Sequence, residues 1–194
     1  MIDDVFLTAD VTACPEILGV RLRPLSIWHV WALRAEESPF IDGGKLDVED
    51  ICRAVMICSL TRSEYATLSA SEAITIYLGR IAGRYIEMPA DERETVMTAV
   101  CEYVNACTTF PEFWSDGKTD PVKDRMRCPF EWHAVAMLLS MRICATEADA
   151  WDYPVALAQC WQAVEGERNG SKNYVDPVDR KDFDVLNKEA SGNG

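Results

Sequence analysis

Residues 128–170 read CPFEWHAVAMLLSMRICATEADAWDYPVALAQCWQAVEGERNG, and their periodicity decides the fold class. Pro129 stands where a proline opens a helix, because the first helical residue has no intrahelical use for its N–H. Phe130, Ala134, Met137, Leu138 and Met141 then recur at i, i+4, i+7, i+8 and i+11, the spacing of one helical face. Val135 and Leu139 widen that stripe, so this helix needs covering on more than one side. The pattern stops at Thr146, which with Asp149 three residues on sets a new N-cap and an acidic first turn. Pro154 opens the next helix, with Leu157, Trp161 and Val164 as its seam and Cys160 beside it, and Gly170 closes it. The result is a helical hairpin with too much apolar surface to stand alone.

The same period runs upstream. Ser26 caps a helix, SIWHVWALRAEE, in which Ile27, Val30, Trp31 and Arg34 line one side and Trp28 and Leu33 flank it. Ser38 and Pro39 end that helix. Asp47 caps the next, where Val48, Ile51, Cys52, Val55 and Met56 follow the pattern of a core helix. Residues 59–70 read as a polar connector with room for one helical turn. Ser69 and Glu72 have capping-box spacing for a helix whose face is Ile74, Leu78, Ile81 and Tyr85. Gly79 and Gly83 lie four apart in it; outside a membrane that spacing points to local packing. Pro89 breaks the pattern, and Glu92 and Glu94 occupy the first turn of a helix with Val96, Val100, Tyr103, Val104 and Cys107 as its seam.

No long segment alternates with the period of a strand. Residues 17–22 (ILGVRL) suit a short strand but offer no pairing partner, and read as part of an extended arm. The expectation is an all-α protein, an irregular bundle of six or seven helices with at most a short strand pair near the N-terminus. Residues 1–25 form the arm, 26–170 the helical domain, and 171–194 a flexible polar tail. Within the domain a long loop occupies 109–127 ahead of the hairpin at 128–170.

Bulk composition narrows the function. Hydrophobic residues make up 48% of 194, enough for a sizeable core. Nineteen basic against 32 acidic residues give a formal charge of −13, which argues against nucleic acid as the main ligand. The N-terminus carries acids where a signal peptide needs basic residues, and no apolar run approaches the roughly 20 residues that span a bilayer. A cytosolic protein with no membrane association is expected.

Eight cysteines lie mostly inside helical patterns with no CxxC pair, which predicts buried free thiols and no metal site. His29 reads as a partly exposed or hydrogen-bonded histidine, because no titratable partner is in sight. Glu131 and His133, two apart on a helix, point away from each other. Nucleophile elbows, Walker loops, dinucleotide fingerprints and HExxH are absent, so neither catalytic residues nor a cofactor is expected.

Two stretches resemble tail assembly chaperones of long-tailed bacteriophages. One is the hinge TEADAWDYP (146–154), leading into a helix with a Glu/Arg-Gly end. The other is GVRLRPLSIWHVWALRAEESPFIDGG (19–44), followed by DVEDICRAVMICS (47–59). Together they cover about a third of the chain, and neither is a catalytic signature. The resemblance implies a small, acidic, mostly helical protein of the host cytoplasm that is absent from the finished virion. Its client would be the tape measure protein, kept soluble while tail tube subunits polymerise around it. It also implies that this chain is the shorter of two frameshift-related forms.

A holdase for a helical client needs apolar surface and a charge that keeps it from self-association. Trp28, Trp31, Met137, Met141 and Trp161 are the candidate partner-binding residues; each could equally fill the core. The competing function is a structural virion protein, such as a head–tail connector or tail completion protein. An enzyme would need a pocket in which His29 or His133 meets a carboxylate.

Overall fold

The computed structural model describes residues 14–108 and 129–170. The expected loop at 109–127, the first half of the arm and the polar tail from 171 lie outside the described residues. The fold is all-α, as the periodicity predicts, with nine helices and one short strand pair among the described residues.

The strand pair is β1 (Glu16–Ile17) and β2 (Val20–Arg21), antiparallel with Glu16 opposite Arg21 and Ile17 opposite Val20. This is the short strand pair expected near the N-terminus; residues 17–22, read as one strand without a partner, fold back so that the segment pairs with itself. The turn residues Leu18 and Gly19 have φ of 54° and 65°, the double positive φ of a tight hairpin turn. Ile17, Leu18 and Leu22 are buried, so the hairpin is anchored in the core.

Helix α1 (Ile27–Ala35) starts on Ser26, whose hydroxyl accepts from His29 N at 3.3 Å while the His29 ring accepts from Ser26 N at 3.0 Å. A histidine thus replaces the usual Glu or Gln of a capping box. The helix ends in a Schellman motif, with Ser38 N bonding Leu33 O, Glu37 N bonding Arg34 O, and Glu37 at φ 53°. A one-turn helix, α2 (Pro39–Asp42), follows.

Helix α3 (Val48–Ser59) is the centre of the core. Asp47 and Asp50 cap it reciprocally, and Ile51, Cys52, Ala54, Val55, Met56, Ile57 and Cys58 are buried. Its largest packing partner is α5 (Ala73–Glu87), which contributes Ile81 and Tyr85. Helix α6 (Ala90–Cys107) adds Val100, Tyr103, Val104 and Cys107. Gly79 and Gly83 have open space where a Cβ would stand, so no helix closes on that spacing among the described residues.

Residues 59–70 are not a connector. They hold α4 (Arg62–Ser69), with Thr61 and Glu64 as a full capping box and Tyr65 and Leu68 packed on the core. Local capping plus one apolar pair outweighs the polar average of the segment. The expected Ser69–Glu72 box does not form, because Ser69 sits in the last turn of α4 and donates back to Tyr65 O at 2.7 Å. Helix α5 begins instead where Ala73 N donates to Ser71 Oγ at 3.3 Å.

Residues 129–170 fold into α7 (Phe130–Ser140), α8 (Glu147–Trp151) and α9 (Val155–Arg168). Thr146 and Asp149 make the predicted cap as a reciprocal box. The hinge after α8 is stitched to the start of α1: Ile27 N bonds Tyr153 O at 3.0 Å and Val155 N bonds Leu25 O at 2.9 Å. The face of α9 differs from the expected Leu157–Trp161–Val164 seam. Val155, Ala156, Ala158, Cys160 and Ala163 are buried, and Trp161 faces outward. Small side chains let α9 lie close to α1 and α7, a fit that a tryptophan seam would prevent.

Candidate functional site

Among the described residues, a cluster of aromatic side chains lies where α1, α4, α7 and α8 meet. Trp28 and Trp31 are three apart on α1, hence neighbours on its surface, with ring centroids 5.8 Å apart. Tyr65 of α4 stands 5.2 Å from Trp28. Trp151 of α8 meets Trp31 at 6.1 Å and Trp132 of α7 at 5.0 Å, both edge to face. In that geometry the positive edge of one ring meets the negative face of the next, worth about 0.5–1.5 kcal/mol per pair beyond area burial.

Exposure divides the cluster into a floor and a rim. Trp28 is 5% exposed and Trp151 is buried, whereas Trp31 and Trp132 are 37% and 44% exposed. A tryptophan left this open forgoes much of the burial that its large apolar surface would give in a core. Two of them on one buried tryptophan form a rigid apolar surface. Trp161 is similarly exposed, on α9, where its Nε1 donates to Tyr153 Oη at 3.0 Å.

Charged groups fix the floor. Glu147 Oε1 accepts from Trp151 Nε1 at 3.0 Å and from Arg62 at 3.1 Å, and the Arg62 guanidinium lies 4.9 Å from the Trp151 ring. These hydrogen bonds, the indole's first and the guanidinium's second, lower the Glu147 pKa. Arg62 N also donates to Asp152 at 3.0 Å, tying α4 to the hinge. Next to the rim, Glu131 is fully buried and takes an ion pair from Arg34, while its Oε2 has no partner among the described residues.

The five residues singled out from the sequence fall in different places. Trp28 and Trp31 come together, Trp28 as a core residue whose side chain is covered. Met137 is half-buried against the main core, and Met141 is half-buried at the end of α7. Trp161 stands apart beside Tyr153. Sequence reasoning missed Trp132 and Trp151. Trp132 shares the side of Val135 and Leu139, so the periodicity of its helix does not by itself mark it as exposed.

His29 does not meet a carboxylate. Its Nδ1 accepts from Ser26 N, and its Nε2 lies 2.8 Å from Leu60 O, so the ring is neutral with the proton on Nε2. Burial lowers its pKa to about 4. His133 is exposed on α7. Cys52, Cys58, Cys101 and Cys144 are free thiols, and burial pushes the Cys58 pKa up to about 12. Among the described residues no group of three or more His, Cys, Asp or Glu side chains could hold a metal ion. No described helix is long and apolar enough to cross a membrane.

These features define an acidic, all-α domain with a solvent-facing tryptophan surface. No protein-family model, curated protein or solved structure matches the chain.

Proposed function

We infer that this chain is a tail assembly chaperone of a long-tailed bacteriophage, which binds the tape measure protein through its tryptophan surface and keeps it soluble until tail tube subunits enclose it. The observation that carries this reading is the Trp31–Trp132 rim, two exposed indoles held edge to face by the buried Trp151. Rigid aromatic surface of this kind gives contact area at low conformational cost and suits the apolar stripe of an amphipathic helix. A formal charge of −13 keeps copies of the chaperone apart while that surface is bare. The chain acts in the host cytoplasm and leaves before the particle is complete.

Co-expression with the tape measure protein of the same phage tests the reading. Alone, that protein goes to the insoluble fraction; with this chain it stays soluble. The Trp31→Ser/Trp132→Ser double variant, still helical by circular dichroism, does not rescue it. Failure of the unmodified chain to rescue, with the chain present stoichiometrically in purified particles, would replace the chaperone by a structural virion protein.

A further inference from the structure

Away from the tryptophan surface, β2, the end of α3 and one face of α5 enclose a cleft of about 390 Å³ lined by Arg21, Arg80, Arg84, Ser59, Tyr77 and Ile81, with the Gly19 turn at its edge. The chain carries 32 acidic against 19 basic residues, so an arginine should find a carboxylate easily. Five of the ten described arginines do so: Arg23, Arg34, Arg53, Arg62 and Arg168. The three in this cleft do not. The side chains of Arg21 and Arg80 make no hydrogen bond or ion pair among the described residues. Glu16 stands opposite Arg21 across the hairpin without closing a pair. Arg80 and Arg84 are four apart on α5, where like charges repel.

The cleft also denies these arginines their usual neutral partners. A helix C-terminus such as that of α3 offers free carbonyls to nearby cations, yet here the last turn is already satisfied. Met56 O accepts from Ser59 Oγ, Ile57 O from Leu60 N, Cys58 O from Arg23 N, and Ser59 O from Arg23 Nε. Ser59 spends its only proton on Met56, so the Tyr77 hydroxyl, 2.9 Å away, donates to Ser59. The guanidinium groups are the donors left over.

The three arginines are exposed, but the turn beside them is tied to α5. Arg84 donates to Leu18 O at 2.6 Å and lies over Gly19, where any Cβ would collide with it. Leu18 is a bulky residue held at φ 54°, a conformation that persists only where its surroundings enforce it. One arginine is therefore spent fixing the turn that presents Arg21.

We propose that the Arg21–Arg80–Arg84 cleft is a binding site for a compact oxyanion, a phosphate or carboxylate group, independent of the tryptophan surface. Guanidinium forks match both anions in bidentate fashion. The volume suits a small ligand or one acidic side chain, and the surrounding negative charge opposes a long polyanion.

The test is calorimetric titration at low ionic strength with two probes, inorganic pyrophosphate and a tetraglutamate peptide, against a sodium chloride control of matched ionic strength. At least one probe binds, and it raises the thermal midpoint as its concentration passes Kd. Arg80→Gln and Arg21→Gln each weaken binding about tenfold and leave the midpoint of the unliganded protein unchanged. Pyrophosphate alone binding identifies a phosphate-bearing small molecule, and the peptide alone binding identifies a carboxylate of a protein partner. Binding that both variants retain in full, or no binding of either probe at 10 mM (roughly a −2.7 kcal/mol interaction), overturns the site.

Discussion

Protonating His29 should destabilise the fold by a predictable amount over a predictable pH range. In the native state both ring nitrogens are committed to backbone groups, Nδ1 accepting from Ser26 N and Nε2–H donating to Leu60 O. A proton on Nδ1 would remove the acceptor and place a charge among buried groups. Desolvation is the main cause of a pKa near 4 against 6.5 for the free side chain. Above pH 6.5 the folded and unfolded chains are both neutral here, and the full stability is present. Between 6.5 and 4 the unfolded chain binds a proton that the native state refuses, so stability falls as pH falls. Below 4 both states are protonated and the loss is complete. The gap in pKa corresponds to about 3 kcal/mol, a large share of the roughly 5–15 kcal/mol that holds a domain together. The assay is urea unfolding followed by circular dichroism at half-unit steps from pH 7.5 to 4.5, for the unmodified chain and for His29→Gln. The variant is less stable at pH 7.5 by about 1–3 kcal/mol, since one buried backbone group loses its partner, but its stability curve is flatter across this range. Parallel curves for the two proteins would refute the assignment of a buried neutral imidazole.

Three shorter predictions follow from other parts of the core. Arg34→Ala strands the buried Glu131 carboxylate and should cost about 3 kcal/mol by chemical denaturation, at the low end for a broken buried pair because Arg34 is half-exposed; Glu131→Leu, which removes the charge, should cost less. Arg142 closes α7 at φ 59°, so Arg142→Gly should stabilise by about 0.5–1 kcal/mol in the same assay, relief of left-handed strain exceeding the added freedom of the unfolded chain. Cys58, fully buried and with its pKa raised, should resist a thiol reagent in the native protein at pH 8 and react once the chain is unfolded.

Capping was legible in the sequence because it is local. Asp47 and Thr146 each meet a carboxylate three residues on, and both boxes form as the spacing implies. The box at Thr61 has the same spacing, but the polar average of residues 59–70 hides Tyr65 and Leu68, so a single turn is expected where an eight-residue helix forms. Helical periodicity likewise gave the faces of α5 and α6, and that of α3 except for Val48, which is exposed in its first turn. It failed for α9, where two faces compete: the larger side chains suggest Leu157–Trp161–Val164, and close approach to α1 and α7 selects the smaller ones. The tryptophan surface was only half legible. Trp28 and Trp31 share one helix, but Trp132 and Trp151 join them only through the packing of α7 and α8 on α1. Burial of Glu131 and the arginine cleft depend on pairings 97 and 66 residues apart in sequence, beyond the reach of any local pattern.

The central claim is that the exposed indoles hold a helical client, and direct binding tests it most closely. The purified chain and its Trp31→Ser/Trp132→Ser variant would be titrated with a soluble helical segment of the tape measure protein, at low and at moderate salt. Substituting the two rim tryptophans should weaken binding by about a thousandfold, as expected for two aromatic anchors worth ~2 kcal/mol each, with little further loss as salt rises. Equal affinity of the two proteins for that segment, or no binding by the unmodified chain, would contradict the account.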